Sequence, residues 1–371
     1  MNVKNDISLE KGVINRGNLV RLKKRMQDAK EGKSLVIGFI GGSITQGSLA
    51  SSPQTCYAYQ VFCWWKENFL QADFQYVNAG IGGTTSQFGV ARAEEDLLCR
   101  KPDVVIVEFS VNDDNNEHFA ETYEGLIRKI YGSEKRPAVI LVHNVRYDDG
   151  ISAQEQHLKI GKAYELPCIS MKTTIYPKVT DGSIPVRDIT PDDLHPNDKG
   201  HQLVSAVIID FLRKTLEEAD DLEEAVGAEL LPSPVTRNPY ENSIRYRNDN
   251  YRAVCNGFTA DMKGISNVFQ KGWMADKVND SIVFRIRETE IAIQYRKSMH
   301  KPAPIARVVI DGDLENAVFL DGNFDESWGD CIYIETIASQ LDYKEHTIEV
   351  TIVESGEVAV PFYLVSVIGS H

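Results

Sequence analysis

The chain has 371 residues, 42% of them hydrophobic and 25% charged, which is ordinary globular composition and long enough for two domains. Its formal net charge of −14 argues against a nucleic-acid partner or an anionic membrane surface, because it would repel phosphate. The six cysteines match no zinc spacing, and several lie in apolar surroundings, so we expect buried free thiols, with no metal and no cofactor.

The first residues, MNVKNDISLEKG, lack the apolar core of a secretory signal. No run of about 18 apolar residues follows anywhere, so a cytoplasmic protein with no membrane span is expected. Residues 1–33 are polar, and a basic helical pattern at Leu19–Lys30 predicts a lead-in helix. Leu35–Ile40 is a Val- and Ile-rich run that suits a strand buried on both faces of a parallel sheet. Gly41, Gly42 and Ser43 follow at once, with Thr45 close behind. A small hydroxyl residue on a turn after a central strand is where open α/β sheets place their chemistry. A phosphate-cradling loop is the other reading, but no lysine stands in the P-loop position and GxGxxG does not fit.

A helix at Tyr57–Leu70 carries Trp64 and Trp65, both expected in the core. Strands are predicted at Phe74–Val77, Val104–Phe109, Pro137–His143 and Pro167–Met171. Helices alternate with them near Gln87–Cys99, Phe119–Tyr131 and Gln154–Tyr164, and a final amphipathic helix spans Asp198–Ala219. This alternation predicts right-handed crossovers and a parallel sheet. After Ala219 the composition shifts. Residues 220–242 are acidic, then Pro-rich, and read as a linker between an N-terminal domain of residues 1–219 and a C-terminal domain of residues 243–371. From Ser243 onward, about six to nine short alternating strands separated by Asp-Gly turns predict an all-β sandwich.

Four stretches in the first domain belong together. They are GGSIT with Ser43, NAGIGGTT at Asn78–Thr85, EFSVNDD at Glu108–Asp114 and DDLHP at Asp192–Pro196. Ser43 can attack an ester only if an imidazole takes its proton, and of eight histidines His195 alone sits in an Asp-x-x-His-Pro setting before a helix. Asp192 can turn back to accept the other ring N–H, with Asp193 as its competitor. Hydroxyl, glycines, Asn and Asp-x-x-His, in that order, resemble the SGNH (GDSL-like) esterases over about Lys33–Leu216. The resemblance implies a flavodoxin-like three-layer α/β/α fold. It also implies Ser43, Asp192 and His195 as the catalytic set, choosing Asp192 over Asp193. The implied oxyanion hole is the Ser43 N–H, Gly83 and the Asn112 side chain, although an Asx turn at Asn112 is the plainer alternative. Asp188 and Asp198 read as solvated loop or cap residues.

Two departures stand out. Ser110 occupies a position where the family has Gly, which should narrow the pocket or hydrogen-bond locally. Gly42 replaces the Asp of the usual GDS tripeptide. Leu49–Thr55 and Asp113–Asn116 are mostly polar, with no apolar lid of the lipase kind. A catalytic domain followed by a sandwich is similar to the mannan acetylesterases of carbohydrate esterase family seventeen. That likeness implies removal of acetyl groups, including 2-O-acetyl, from manno-oligosaccharides, and a carbohydrate-binding-like second domain. Trp328, on an acidic turn-rich loop, is either a sugar-stacking platform or a buried packing residue. Other readings are an SGNH esterase on a lysophospholipid, a thioester or another acetylated glycan, or a non-catalytic glycan-binding protein. A homodimer is compatible with the sequence.

Overall fold

The structure, a computed structural model, describes residues 7–218 and 231–371. They form two compact units that divide between Asn238 and Pro239. Among the described residues no helix is long and apolar enough to cross a membrane, and no cluster of His, Cys, Asp and Glu could hold a metal ion.

The first unit is built on a six-stranded sheet: β1 (Val13–Asn15), β2 (Leu35–Gly41), β3 (Phe74–Gly80), β4 (Val104–Glu108), β5 (Ala138–His143) and β6 (Cys168–Ser170). Its order is β1-β6-β5-β4-β2-β3. All neighbours are parallel except β1, which pairs antiparallel with β6 at the edge. Every residue of β4 and β5 is buried, as strands covered on both faces require. The helices are α1 (Val20–Lys30), α2 (Ser43–Gln46), α3 (Tyr57–Asn68), α4 (Ser86–Asp96), α5 (Glu117–Tyr131), α6 (Gln154–Ala163), α7 (Tyr176–Thr180) and α8 (Asp198–Glu217). α3 and α1 pack on α8, while α4 and α6 pack on α5, giving the two outer layers of the expected flavodoxin-like sandwich. Trp64 and Trp65 lie in the core as expected. The chain reverses direction across the sheet between β2 and β4, so the turns after these two strands face one crevice.

Ala219 and the first part of the expected linker, through residue 230, lie outside the described residues. The remainder is not free chain. Glu124 of α5 accepts the N–H groups of Val235 (2.7 Å) and Thr236 (2.8 Å), and Arg237 pairs with Glu121 at 2.7 Å.

The second unit is all-β, with eleven strands among the described residues against the six to nine expected. They are β7 (Ile244–Tyr246), β8 (Val254–Asn256), β9 (Thr259–Ala260), β10 (Trp273–Ala275), β11 (Ser281–Arg287), β12 (Glu290–Lys297), β13 (Ile305–Ile310), β14 (Val318–Asp321), β15 (Cys331–Ala338), β16 (Glu345–Glu354) and β17 (Phe362–Ser370). One antiparallel sheet runs β15-β12-β17-β10-β9, with β7 beside β17, and the other runs β14-β13-β16-β11-β8. Alternate residues such as Ile282, Phe284, Ile348 and Val350 meet Trp273, Leu364 and Val367 in one shared core.

Of the six cysteines, Cys56, Cys168 and Cys331 are buried, and all six are free thiols.

Candidate active site

β2 ends at Gly41, and Ser43 opens the short α2 directly after it. The Ser43 side chain is nearly buried, with its Oγ 2.8 Å from His195 Nε2. The other ring nitrogen, Nδ1, lies 2.7 Å from Asp192 Oδ2. A carboxylate only accepts, so Nδ1 carries the proton and Nε2 is left to accept from the serine hydroxyl. Asp192 Oδ1 accepts the backbone N–H groups of His195 (2.7 Å) and Leu194 (3.0 Å), and the Thr190 hydroxyl donates to it at 3.1 Å. Partial burial opposes the charge on Asp192. The His195 ring and these backbone N–H groups outweigh it and hold the carboxyl below its usual range. Asp193 points elsewhere: its backbone is left-handed (φ 64°) and its carboxylate pairs with Arg187 at 2.6 Å.

The three expected oxyanion residues stand in the turns and loops that follow β2, β3 and β4. The Ser43 N–H belongs to the turn itself. Gly83 sits in the loop after β3 with φ 67°, a conformation that favours glycine. Asn112 follows β4 in a tight turn in which both its N–H and that of Asp113 donate to the Phe109 carbonyl at 3.0 Å. Its amide lies against Gly42, where an added Cβ would stand 2.2 Å from Asn112 Oδ1. Among the described residues neither the Ser43 N–H nor the Gly83 N–H has a hydrogen-bond partner, and Asn112 Oδ1 is buried without one.

Residues 39–203 match the GDSL-like Lipase/Acylhydrolase family. A crystal structure of a two-domain esterase active on acetylated mannans is 56% identical, with 98% of each chain covered and a TM-score of 0.95. The same kind of esterase co-crystallised with mannopentaose is 55% identical over 98% of each chain, with a TM-score of 0.94. No curated protein sequence matches. The chain belongs to the GDSL-like lipase/acylhydrolase family.

The two departures from the GDSL-like pattern have local explanations. The Ser110 hydroxymethyl is fully buried and donates to Glu108 Oε1 (2.9 Å) and the Asn144 carbonyl (3.1 Å), so it bonds locally instead of narrowing the cleft. Gly42 leaves room for the Asn112 amide, which any side chain there would displace.

The structure corrects one expectation and adds residues the sequence did not single out. Asp198 is exposed but not idle. It accepts from the Ser51 N–H (2.8 Å), the Ser51 hydroxyl (2.6 Å) and the Thr55 hydroxyl (2.7 Å), pinning the loop after the nucleophile turn to the start of α8. The helix cap is Asn197 instead, accepting the Gly200 N–H. Arg92 is fully buried and donates to the carbonyls of Ala79 (2.6 Å) and Gly41 (3.1 Å), bracing the ends of β3 and β2 beneath the nucleophile. Gln46 accepts the Gly82 N–H at 2.6 Å, and Asn78 donates to the Thr45 carbonyl at 2.8 Å. The one sequence signal for these was the dense polar content of NAGIGGTT and of the loop after Ser43. Their partners lie about 13 to 150 residues away.

Trp328 is 61% exposed, with its indole edge-on to Phe324 at a centroid distance of 5.1 Å. It is therefore not a buried packing residue.

Proposed function

We propose that this protein is a serine esterase that removes O-acetyl groups from carbohydrates, with acetylated manno-oligosaccharides as its substrates. The observation that carries the reading is the unbroken line from Asp192 through His195 to Ser43, at 2.7 and 2.8 Å, in a chain 56% identical over nearly its whole length to an esterase active on acetylated mannans.

In this reading the Ser43 hydroxyl attacks the acetyl carbonyl as His195 Nε2 takes its proton. Asp192 keeps the ring in the accepting tautomer and stabilises the imidazolium that forms. The carbonyl oxygen becomes an oxyanion facing the Ser43 N–H, the Gly83 N–H and Asn112 Nδ2. Each such donor is worth on the order of 3 kcal/mol in the transition state. Collapse expels the sugar oxygen, which takes the proton from His195. A water then enters and attacks the acetyl-Ser43 carbonyl as His195 takes its proton; the bond from Ser43 Oγ to the acyl carbon breaks, His195 returns the proton to Oγ, and acetate leaves. The sandwich supplies a second, carbohydrate-contacting surface in this proposal, with Trp328 as its exposed stacking face.

Mass spectrometry of acetylated oligosaccharides from mannan and from xylan, before and after treatment, tests the reading. Stepwise acetyl loss from the mannan series, faster than from the xylan series, is expected. Preference for long-chain acyl esters over acetyl esters would overturn it in favour of a lipase-like member.

A further inference from the structure

Asp113, the residue after Asn112, has no role in the steps above, yet its side chain is completely buried. A carboxylate in such a place requires partners, and it has two. Oδ1 accepts the N–H of Ser86 at 2.9 Å, and Oδ2 lies 3.1 Å from His157 Nε2. Ser86 opens α4 and stands three residues after Gly83. Asp113 shares the Phe109 carbonyl with Asn112, so the two move as one turn. A single carboxylate therefore ties the loop that carries Gly83 to the turn that carries Asn112. His157, on α6, fixes that carboxylate from behind. Its own ring is buried and lies flat on Tyr123 of α5, with ring centroids 3.5 Å apart and planes within 4°. His157 Nδ1 and the Tyr123 hydroxyl have no hydrogen-bond partner among the described residues, so the ring's one hydrogen bond there is the one to Asp113, with Tyr123 stacked on its face and the His143 ring tilted beside it at 5.9 Å.

Two other roles fit less well. A metal site would need more than the one His and one carboxylate brought together here. A second proton relay to Ser43 has no continuous hydrogen-bonded route, because Asp113 bonds to Ser86 and His157 and not to any member of the Ser43 line. Positioning is what the geometry supplies. Oxyanion donors act only when held within a few tenths of an ångström of their place, and a displacement of about 1 Å costs on the order of 10²-fold in rate.

We propose that Asp113, buttressed by His157, is a positioning residue of the oxyanion hole, setting the Asn112 amide against the Gly83 loop. The proposal rests on the esterase reading above, in which Asn112 is a hole donor.

The test compares His157→Leu, which removes the N–H facing Asp113, with His157→Gln, which keeps a donor there, in the wild-type and Asn112→Ala backgrounds. The readouts are kcat and KM for p-nitrophenyl acetate, inhibition by a small alkylboronic acid that forms a tetrahedral adduct with a serine, and melting temperature. His157→Leu should lower kcat by about 10- to 100-fold with KM within about twofold, and weaken the boronic acid by a similar factor. His157→Gln should recover most of the loss. In the Asn112→Ala background His157→Leu should cost less than about threefold more, because the group it positions is already gone. An equal loss in both backgrounds, or a folded His157→Leu with unchanged kcat, overturns the proposal. If His157→Leu does not fold, Asp113→Asn, which keeps size and an acceptor for Ser86, takes its place with the same expectations. Asn112→Ala with wild-type kcat would instead overturn the hole assignment beneath it.

Discussion

Asp192 and Asp193 are adjacent carboxylates with different partners, and that difference decides what each substitution does. Asp192 holds His195, while Asp193 holds Arg187 on the surface of the loop. Asp192→Asn should lower kcat by on the order of 10³- to 10⁴-fold, less than His195→Ala, because the histidine moves the proton and the aspartate orients it. Asp193→Asn should stay within a fewfold of wild type. Steady-state kinetics on p-nitrophenyl acetate checks both, and the reverse ranking would move the assignment by one residue. Gly42 gives a second residue-scale expectation. A Cβ there would stand 2.2 Å from Asn112 Oδ1, so Gly42→Ala must displace the amide. The expected result is a kcat loss on the order of 10²-fold with KM little changed. A variant with full kcat would mean that the amide does not need its present place.

At the scale of elements, β4 is buried throughout and ends in a carboxyl, Glu108, beneath the Asn112 turn. Burial raises its pKa to about 7, and the bonds from the Ser110 hydroxyl and N–H only partly offset that. The folded chain thus binds a proton there between about pH 4.3, the ordinary Glu value, and pH 7, whereas the unfolded chain does not. Stability falls through that window as pH rises. Glu108→Gln removes this dependence, so its melting temperature should gain on wild type between pH 5 and pH 8. A constant difference across that range would contradict the burial argument. The parallel strands and the main helices were legible because each is a sustained apolar or amphipathic run. β1 was not, since three residues at an antiparallel edge carry no periodicity of their own. Residues 231–238 read as linker because prolines and charges dominate their composition, yet Glu124 and Glu121 of α5 bind them. The triad was legible because Asp192 and His195 are three residues apart and the four blocks keep their order. The Asp113–His157 and Arg92 braces were not. Each joins residues about 13 to 51 apart in chain that only the fold brings together.

At the scale of the whole molecule, the chain carries an esterase unit and a sandwich unit of separate core. The sandwich presents Trp328 to solvent, steadied by Phe324, and an exposed indole is suited to one face of a sugar ring. Trp328→Ala should lower kcat/KM on acetylated manno-oligosaccharides by about 5- to 30-fold, the equivalent of about 1–2 kcal/mol of stacking, and barely change p-nitrophenyl acetate hydrolysis. Equal losses on both substrates would indicate a folding defect, and no loss on either would leave Trp328 outside substrate binding.

The account stands on Ser43 as the nucleophile of sugar deacetylation. The most direct measurement is acetate release from acetylated manno-oligosaccharides by the wild-type protein and by Ser43→Ala, with the melting temperature of both recorded. Removing one oxygen from a turn residue should leave the fold intact. Wild type should strip the acetyl groups, and Ser43→Ala should release acetate at least about 10³-fold more slowly with a melting temperature close to wild type. A folded Ser43→Ala that deacetylates within tenfold of wild type would contradict it.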